Sequence, residues 1–143
     1  MSVTVDTNVL IHASNAVDPL HDRARALIER LAAGPELVYL FWPVLLGYLR
    51  IVTHPAILPR PLAARDALGN VEALLDRPNV RAPGEADGFW SVFRATAGGH
   101  PSGNDVPDAH IAALMRQHGV RLIHTRDRGF RRFDGIDARD PFA

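Results

Sequence analysis

Four aspartates stand out by where they fall: Asp6, Asp105, Asp108 and Asp127. Asp6 follows the run Ser2-Val3-Thr4-Val5 and precedes a segment whose pattern turns helical, which places it at the C-terminal end of a first strand. Open α/β sheets carry their chemistry at that end. Asp127 lies just beyond a later apolar run, Val120 to Thr125, in the equivalent position. Asp105 and Asp108, three residues apart, share a face in the first turn of a helix. Each has a plainer reading: Asp6 as a helix cap, and Asp105 or Asp108 as an acid that complements a helix N-terminus. Carboxylates aimed into one pocket, however, repel one another unless a cation lies between them. Magnesium and manganese prefer oxygen ligands and keep several waters, so an aspartate cluster with open coordination positions suits the hydrolysis of phosphate esters.

Positioning such a cluster needs one globular domain, and the composition fits one. The 143 residues are 47% hydrophobic and 22% charged, enough for a real core without a second domain, so residues 1–143 are read as a single domain. There is no cysteine, which excludes a disulfide framework and a thiolate metal site and fits a reducing cytoplasm. No basic segment leads into an apolar stretch with a cleavage site, and no apolar run approaches the roughly 20 residues needed to cross a bilayer. A cytoplasmic protein without a membrane partner is expected. Formal net charge is zero, so any nucleic-acid contact must be local. All 16 basic residues are arginine; their scatter fits a compositional bias, while their planar fork also suits phosphate. The lack of lysine argues against a receiver domain, which pairs its strand-end aspartates with one.

The pattern alternates helices with short strands. A helical turn or two over Val9 to Ala13 is followed by a helix opened by Asp18-Pro19, with Leu20, Ala24, Leu27, Ile28 and Leu31 on its apolar face. Gly34-Pro35 ends it, and Leu37 to Phe41 reads as a strand covered on both sides. Trp42-Pro43 opens a third helix to Val52, in which Gly47 and Arg50 interrupt the apolar content; they fit close packing and a solvent-reaching stem, or together the border of a substrate groove. A fourth helix runs from Leu62 to Asp76 with Ala67, Leu68, Val71, Leu74 and Leu75 on one side, then a short strand at Asn79 to Ala82. The aromatic stripe of a fifth helix, Phe89, Trp90 and Phe93, is assigned to packing rather than base stacking. Ala97 to Asn104 is a glycine-rich loop in which His100 reads as solvated, a sixth helix begins near Asp105, and Ile136-Asp137-Ala138 suits an edge strand. Arg126, Arg128, Arg131 and Arg132 crowd Asp127, as a solvated run or as a grip on a phosphate backbone.

In this order and context, Asp6-Thr7-Asn8, Gly103-Asn104 leading into Asp108-Ala109-His110, and Thr125-Arg126-Asp127-Arg128-Gly129-Phe130 resemble a PIN-domain ribonuclease of the VapC toxin type. Leu49-Arg50-Ile51-Val52-Thr53-His54-Pro55 resembles a segment of one branch of those toxins. The resemblance covers nearly the whole chain. It implies a three-layer α/β fold with a central, mostly parallel sheet of four to five strands flanked by helices. It also implies a Mg2+-dependent endoribonuclease, with Mn2+ able to substitute. Metal ligation falls on Asp6, Asp108 and Asp127, ligand orientation on Asn8 and Thr125, and RNA contact on Arg50, Arg126 and Arg128. The implied partners are RNA, a VapB-type antitoxin through which alone operator DNA is met, and a second copy in a homodimer; apolar helices around Leu27-Ile28-Leu31 and Leu45-Leu46-Leu49 are candidate contact surfaces.

One slot departs from the family. Gly47 stands where many members carry a glutamate, so the fourth acid is missing there, and Asp105 is the nearest substitute, one helical turn before Asp108. This keeps open a degenerate PIN module that binds RNA or antitoxin without cutting. A phosphatase using Asp6 as nucleophile is disfavoured because it needs an acid two positions on, where Asn8 stands.

Overall fold

The computed structural model describes residues 1–99 and 101–143; the reading of His100 lies outside the described residues. Among the described residues, five strands form one sheet: β1 (Ser2–Val5), β2 (Leu37–Tyr39), β3 (Val80–Arg81), β4 (Leu122–His124) and β5 (Asp137–Arg139), in the order β3-β2-β1-β4-β5. Every neighbouring pair is parallel. The helices are α1 (Thr7–Ser14), α2 (His21–Ala33), α3 (Trp42–Val52), α4 (Ala64–Leu75), α5 (Phe89–Ala97) and α6 (Asp105–Gln117), with a 3-10 turn at Arg128–Arg132. Val3, Thr4 and Val5 are all buried although successive strand residues point to opposite faces, so helices cover the sheet on both sides in a three-layer α/β arrangement. The one polar member of that trio is satisfied, because the Thr4 hydroxyl donates to the Tyr39 carbonyl at 2.6 Å.

The strand order fixes where a site can form. From β1 the chain builds outward through β2 and β3, then returns to the other side of β1 with β4 and β5. The point where the direction reverses lies between β1 and β4, and the crevice beyond their C-terminal ends is the usual ligand site of such sheets. Val5 pairs with His124 there, and the Asp6 N–H donates to the His124 carbonyl at 2.9 Å. Asp6 and Thr125 therefore leave the sheet side by side. Ala109, Ala112 and Ala113 of α6 are buried, and their small side chains bring the N-terminus of α6 close to the same crevice.

Several local expectations shift. Asp18 does not cap α2, which starts at His21; its carboxylate instead accepts from the Leu20 N–H at 2.7 Å and sits 2.7 Å from His12 Nδ1, closing the turn before the helix. Neither Asp105 nor Asp108 occupies the cap of α6, which falls on Asn104. Leu68 is exposed rather than on the packed side of α4, and Leu37 at the start of β2 is likewise open. The α5 aromatics are only partly core: Trp90 is 69% exposed and lies flat against Phe93, 5.8 Å between centroids. Of the two apolar clusters offered as contact surfaces, Leu27, Leu31 and Leu45 are core, whereas Leu46 faces solvent.

Candidate active site

Asp6 is the most buried of the four acids, 8% exposed, because it ends a central strand. Its Oδ1 accepts from the Thr7 N–H at 2.7 Å and caps α1, so the plainer capping role is real and coexists with the rest. Its Oδ2 accepts from the Thr125 hydroxyl at 2.8 Å and, at 3.4 Å, from the Asn8 side-chain amide. Burial pushes the Asp6 carboxyl above its ordinary range against the opposing pull of the Thr125 and Thr7 hydrogen bonds, and the charge of Asp127 adds to the rise. Thr125 is itself fixed: its oxygen accepts from the Asp127 N–H at 2.9 Å. A relay of backbone, hydroxyl and carboxylate thus joins the ends of β1 and β4. The Asn8 Oδ1 atom is buried without a hydrogen-bond partner among the described residues.

Asp127 is exposed, and its Oδ1 accepts from the Gly129 N–H at 2.8 Å to start the 3-10 turn. Asp108 reaches the same place from α6. Its carboxyl is pushed up to about 7, first by burial, then by the charge of Asp127, a hydrogen bond with that side chain and the more distant charge of Asp6, with Arg132 opposing. Asp105 points to the rim, where Arg132 Nη2 lies 3.2 Å from its Oδ1. Arg132 was one of four clustered arginines in the sequence; only the return of the 3-10 turn shows that it faces the acids. The signal available beforehand was its spacing of one short turn from Gly129.

The arginines expected to meet RNA are spread differently. Arg126 is partly engaged, 3.8 Å from Asp140, while Arg128 is exposed beside Asp127. Arg50 is exposed on α3, one turn beyond Gly47. A Cβ added at Gly47 would meet Thr7 at ordinary contact distance, 3.5 Å from its hydroxyl, so the slot of the missing glutamate faces the residue next to Asp6 and has room for a side chain.

As a cation site the donors are all oxygen, which suits Mg2+ or Mn2+; burial first, and then the charge of Asp127, raises both Asp6 and Asp108, a cost to their charged forms that a bound cation would offset. Among the described residues, no three Asp, Glu or His side chains already converge as a closed metal cluster. By donor chemistry the acids fit the ion.

Comparison with known proteins gives the family and the fold. The PIN domain family model matches residues 3–136. Ribonuclease VapC48 of Mycobacterium tuberculosis is 56% identical over 144 aligned residues, spanning 100% of this chain and 99% of that protein. In fold, the chain resembles the Rickettsia felis VapBC2 structure, solved bound to a promoter DNA fragment, with a TM-score of 0.68 at 16% identity over 97% of this chain and 98% of that one. It also resembles Mycobacterium tuberculosis VapC20, described as a sarcin-ricin loop cleaving toxin, with a TM-score of 0.61 at 21% identity over 94% and 98%. The chain belongs to the PIN-domain family, in its VapC group.

Proposed function

We propose that this chain is a divalent-metal-dependent endoribonuclease that serves as the toxin of a toxin–antitoxin pair. The observation that carries the reading is the relay from the Asp127 N–H through the Thr125 hydroxyl to Asp6, with Asp108 brought alongside, at the switch point of a parallel sheet. Kinship with proteins named as ribonucleases supports the reaction class. Asp6, Asp108 and Asp127 are the residues that would hold Mg2+, or Mn2+ in its place, with Asp105 at the rim. When bound, such an ion activates water and offsets charge on the phosphate.

The chain's own side chains do the rest. Thr125, Thr7 and Asn8 hold the Asp6 carboxylate in one orientation, so little reorganisation is left for the moment of reaction. Asp108, raised to about 7 chiefly by burial, would have to be ionised to serve as an oxygen ligand. Hydrolysis forms a bond from the water oxygen to phosphorus and breaks the bond to one ester oxygen, which leaves with a proton. Arg128, Arg126 and Arg50 offer planar forks for flanking phosphates.

The proposed partners follow the same kinship. A VapB-type antitoxin would restrain the toxin and carry any contact with operator DNA; the fold neighbour VapBC2 is itself bound to a fragment of its promoter. A groove of about 350 Å3 between α1, α2, α3 and α4, lined by Leu10, Ile28, Leu45, Val71 and Leu74 with the Tyr48 hydroxyl at its floor, has the shape and apolarity to take an amphipathic antitoxin segment. Exposed Leu46 and Trp42 on α3 support a homodimer contact. Among the described residues no helix is long and apolar enough to cross a membrane.

A second reading, a non-cutting PIN module, is favoured by one observation, the absence of an acid at Gly47. Incubating purified protein with structured RNA in Mn2+, Mg2+ and EDTA separates the two. Cutting in either metal and none in EDTA supports the nuclease; intact RNA throughout, from folded protein, supports the binding module.

A further inference from the structure

The side chain of Arg132 is built into the acid cluster rather than lying over it. Its Nη2 is 3.2 Å from Asp105 Oδ1 and 3.6 Å from Asp108 Oδ2, while its Nη1 donates to the Gly129 carbonyl at 2.7 Å. The guanidinium stands 4.5 Å over the ring of buried Phe133. Gly129 makes the room. A Cβ there would come within 2.6 Å of Arg132 Nη1, 2.9 Å of Asp127 Oδ1 and 3.4 Å of Asp108 Oδ2, so a side chain at this position would fill the junction at which two carboxylates and the guanidinium meet. Arg132 is therefore a permanent positive charge directed, by the Gly129 carbonyl and the Phe133 ring, onto one of the acids that would bind the divalent ion.

We propose that Arg132 is a positioning residue with two successive partners: the Asp105–Asp108 pair in the metal-free chain, and an RNA phosphate after a divalent cation has displaced it from Asp108. The second partner rests on the nuclease reading; the first does not. A guanidinium and a divalent ion cannot both neutralise Asp108 at full strength, so loading competes with the ion pair. The displaced fork stays tethered on the Gly129 turn beside Asp127, where its parallel N–H groups match two phosphate oxygens. Arg126 and Arg128 cannot substitute, since neither is within salt-bridge distance of Asp105 or Asp108.

The test is calorimetric titration of Mn2+ alone into the full chain and into Arg132→Gln and Arg132→Met, the second keeping an apolar stem against Phe133. At pH 8 both variants are expected to bind Mn2+ severalfold more tightly than the unaltered protein, with Arg132→Lys in between because it keeps charge but not the fork. Equal or weaker Mn2+ binding in both neutral variants, or no Mn2+ binding by any of the proteins, overturns the exchange. In RNA cleavage at saturating Mn2+, the neutral variants are expected to raise KM severalfold more than they lower kcat; an unchanged KM overturns the phosphate half. If the unaltered protein cuts no RNA, the nuclease reading falls while the Mn2+ affinities still decide the exchange.

Discussion

The Thr125 hydroxyl donates to Asp6 Oδ2 at 2.8 Å, joining residues 119 positions apart at the ends of two adjacent parallel strands. The bond is buried, and it connects onward to the Asp127 N–H. One hydroxyl thereby ties the orientation of the deepest acid to the backbone that presents the outer one.

Thr125→Val keeps the shape and removes the donor. Because the Asp6 carboxylate would then lose a buried hydrogen bond, a cost of about 1–3 kcal/mol in stability is expected, measured by urea unfolding. Cleavage should fall by roughly 10–100-fold, as for other partners that orient metal ligands. Unaltered cleavage would show that Asp6 needs no orienting hydroxyl.

The raised Asp108 carboxyl makes stability of the metal-free protein depend on pH. The folded-state pKa of Asp108, about 7, lies above its ordinary 3.8, so its protonated form favours folding; that contribution is complete below the ordinary value and is lost as pH rises through about 7. In EDTA, Tm should therefore fall between pH 5 and 8, and Asp108→Asn should flatten the profile and exceed the unaltered protein at pH 8. An identical pH profile in the variant would remove Asp108 as the source.

Gly47→Glu tests the vacant acid position. The new Cβ meets only ordinary contact with Thr7, so the fold should tolerate it with a change of at most about 1 kcal/mol from losing a helical glycine. Mn2+ binding should tighten and cleavage at limiting Mn2+ should rise. Weaker Mn2+ binding by a folded variant would place the position outside the site.

Phe130 is fully buried and anchors the turn that carries Asp127, Gly129 and Arg132. Phe130→Ala is expected to cost about 3–5 kcal/mol by thermal or urea unfolding. A loss under about 1 kcal/mol would mean that the turn is held by its caps and ion pairs alone.

Asp6 and Asp127 were readable from sequence because each follows an apolar strand directly, and period and strand end are local signals. The bounds of α3 and α5 followed from the same kind of pattern, whereas the mostly parallel sheet was implied by the family resemblance and is parallel throughout the five described strands. The start of α2 was misplaced because Asp18 finds nearer partners in the Leu20 N–H and His12, so a local turn competes with capping. The exposure of Trp90 was misjudged because helical spacing gives a face without saying whether anything covers it. Arg132 was legible only as part of a basic run. Its contact with Asp105 and Asp108 depends on a 3-10 turn returning toward the N-terminus of α6, a relation between distant segments that no local pattern encodes.

The measurement that bears most directly on the central claim is cleavage of a structured RNA mixture in Mn2+, Mg2+ and EDTA by the unaltered protein and by Asp108→Asn, with folding of both checked by circular dichroism. Cutting in Mn2+ or Mg2+, none in EDTA, and a loss of about 100-fold or more in the folded variant is the expected result for a residue whose carboxylate serves the reaction itself. Cutting that survives EDTA, or a folded Asp108→Asn protein that cuts as well as the unaltered one, would contradict the assignment of these acids to a metal-dependent nuclease site.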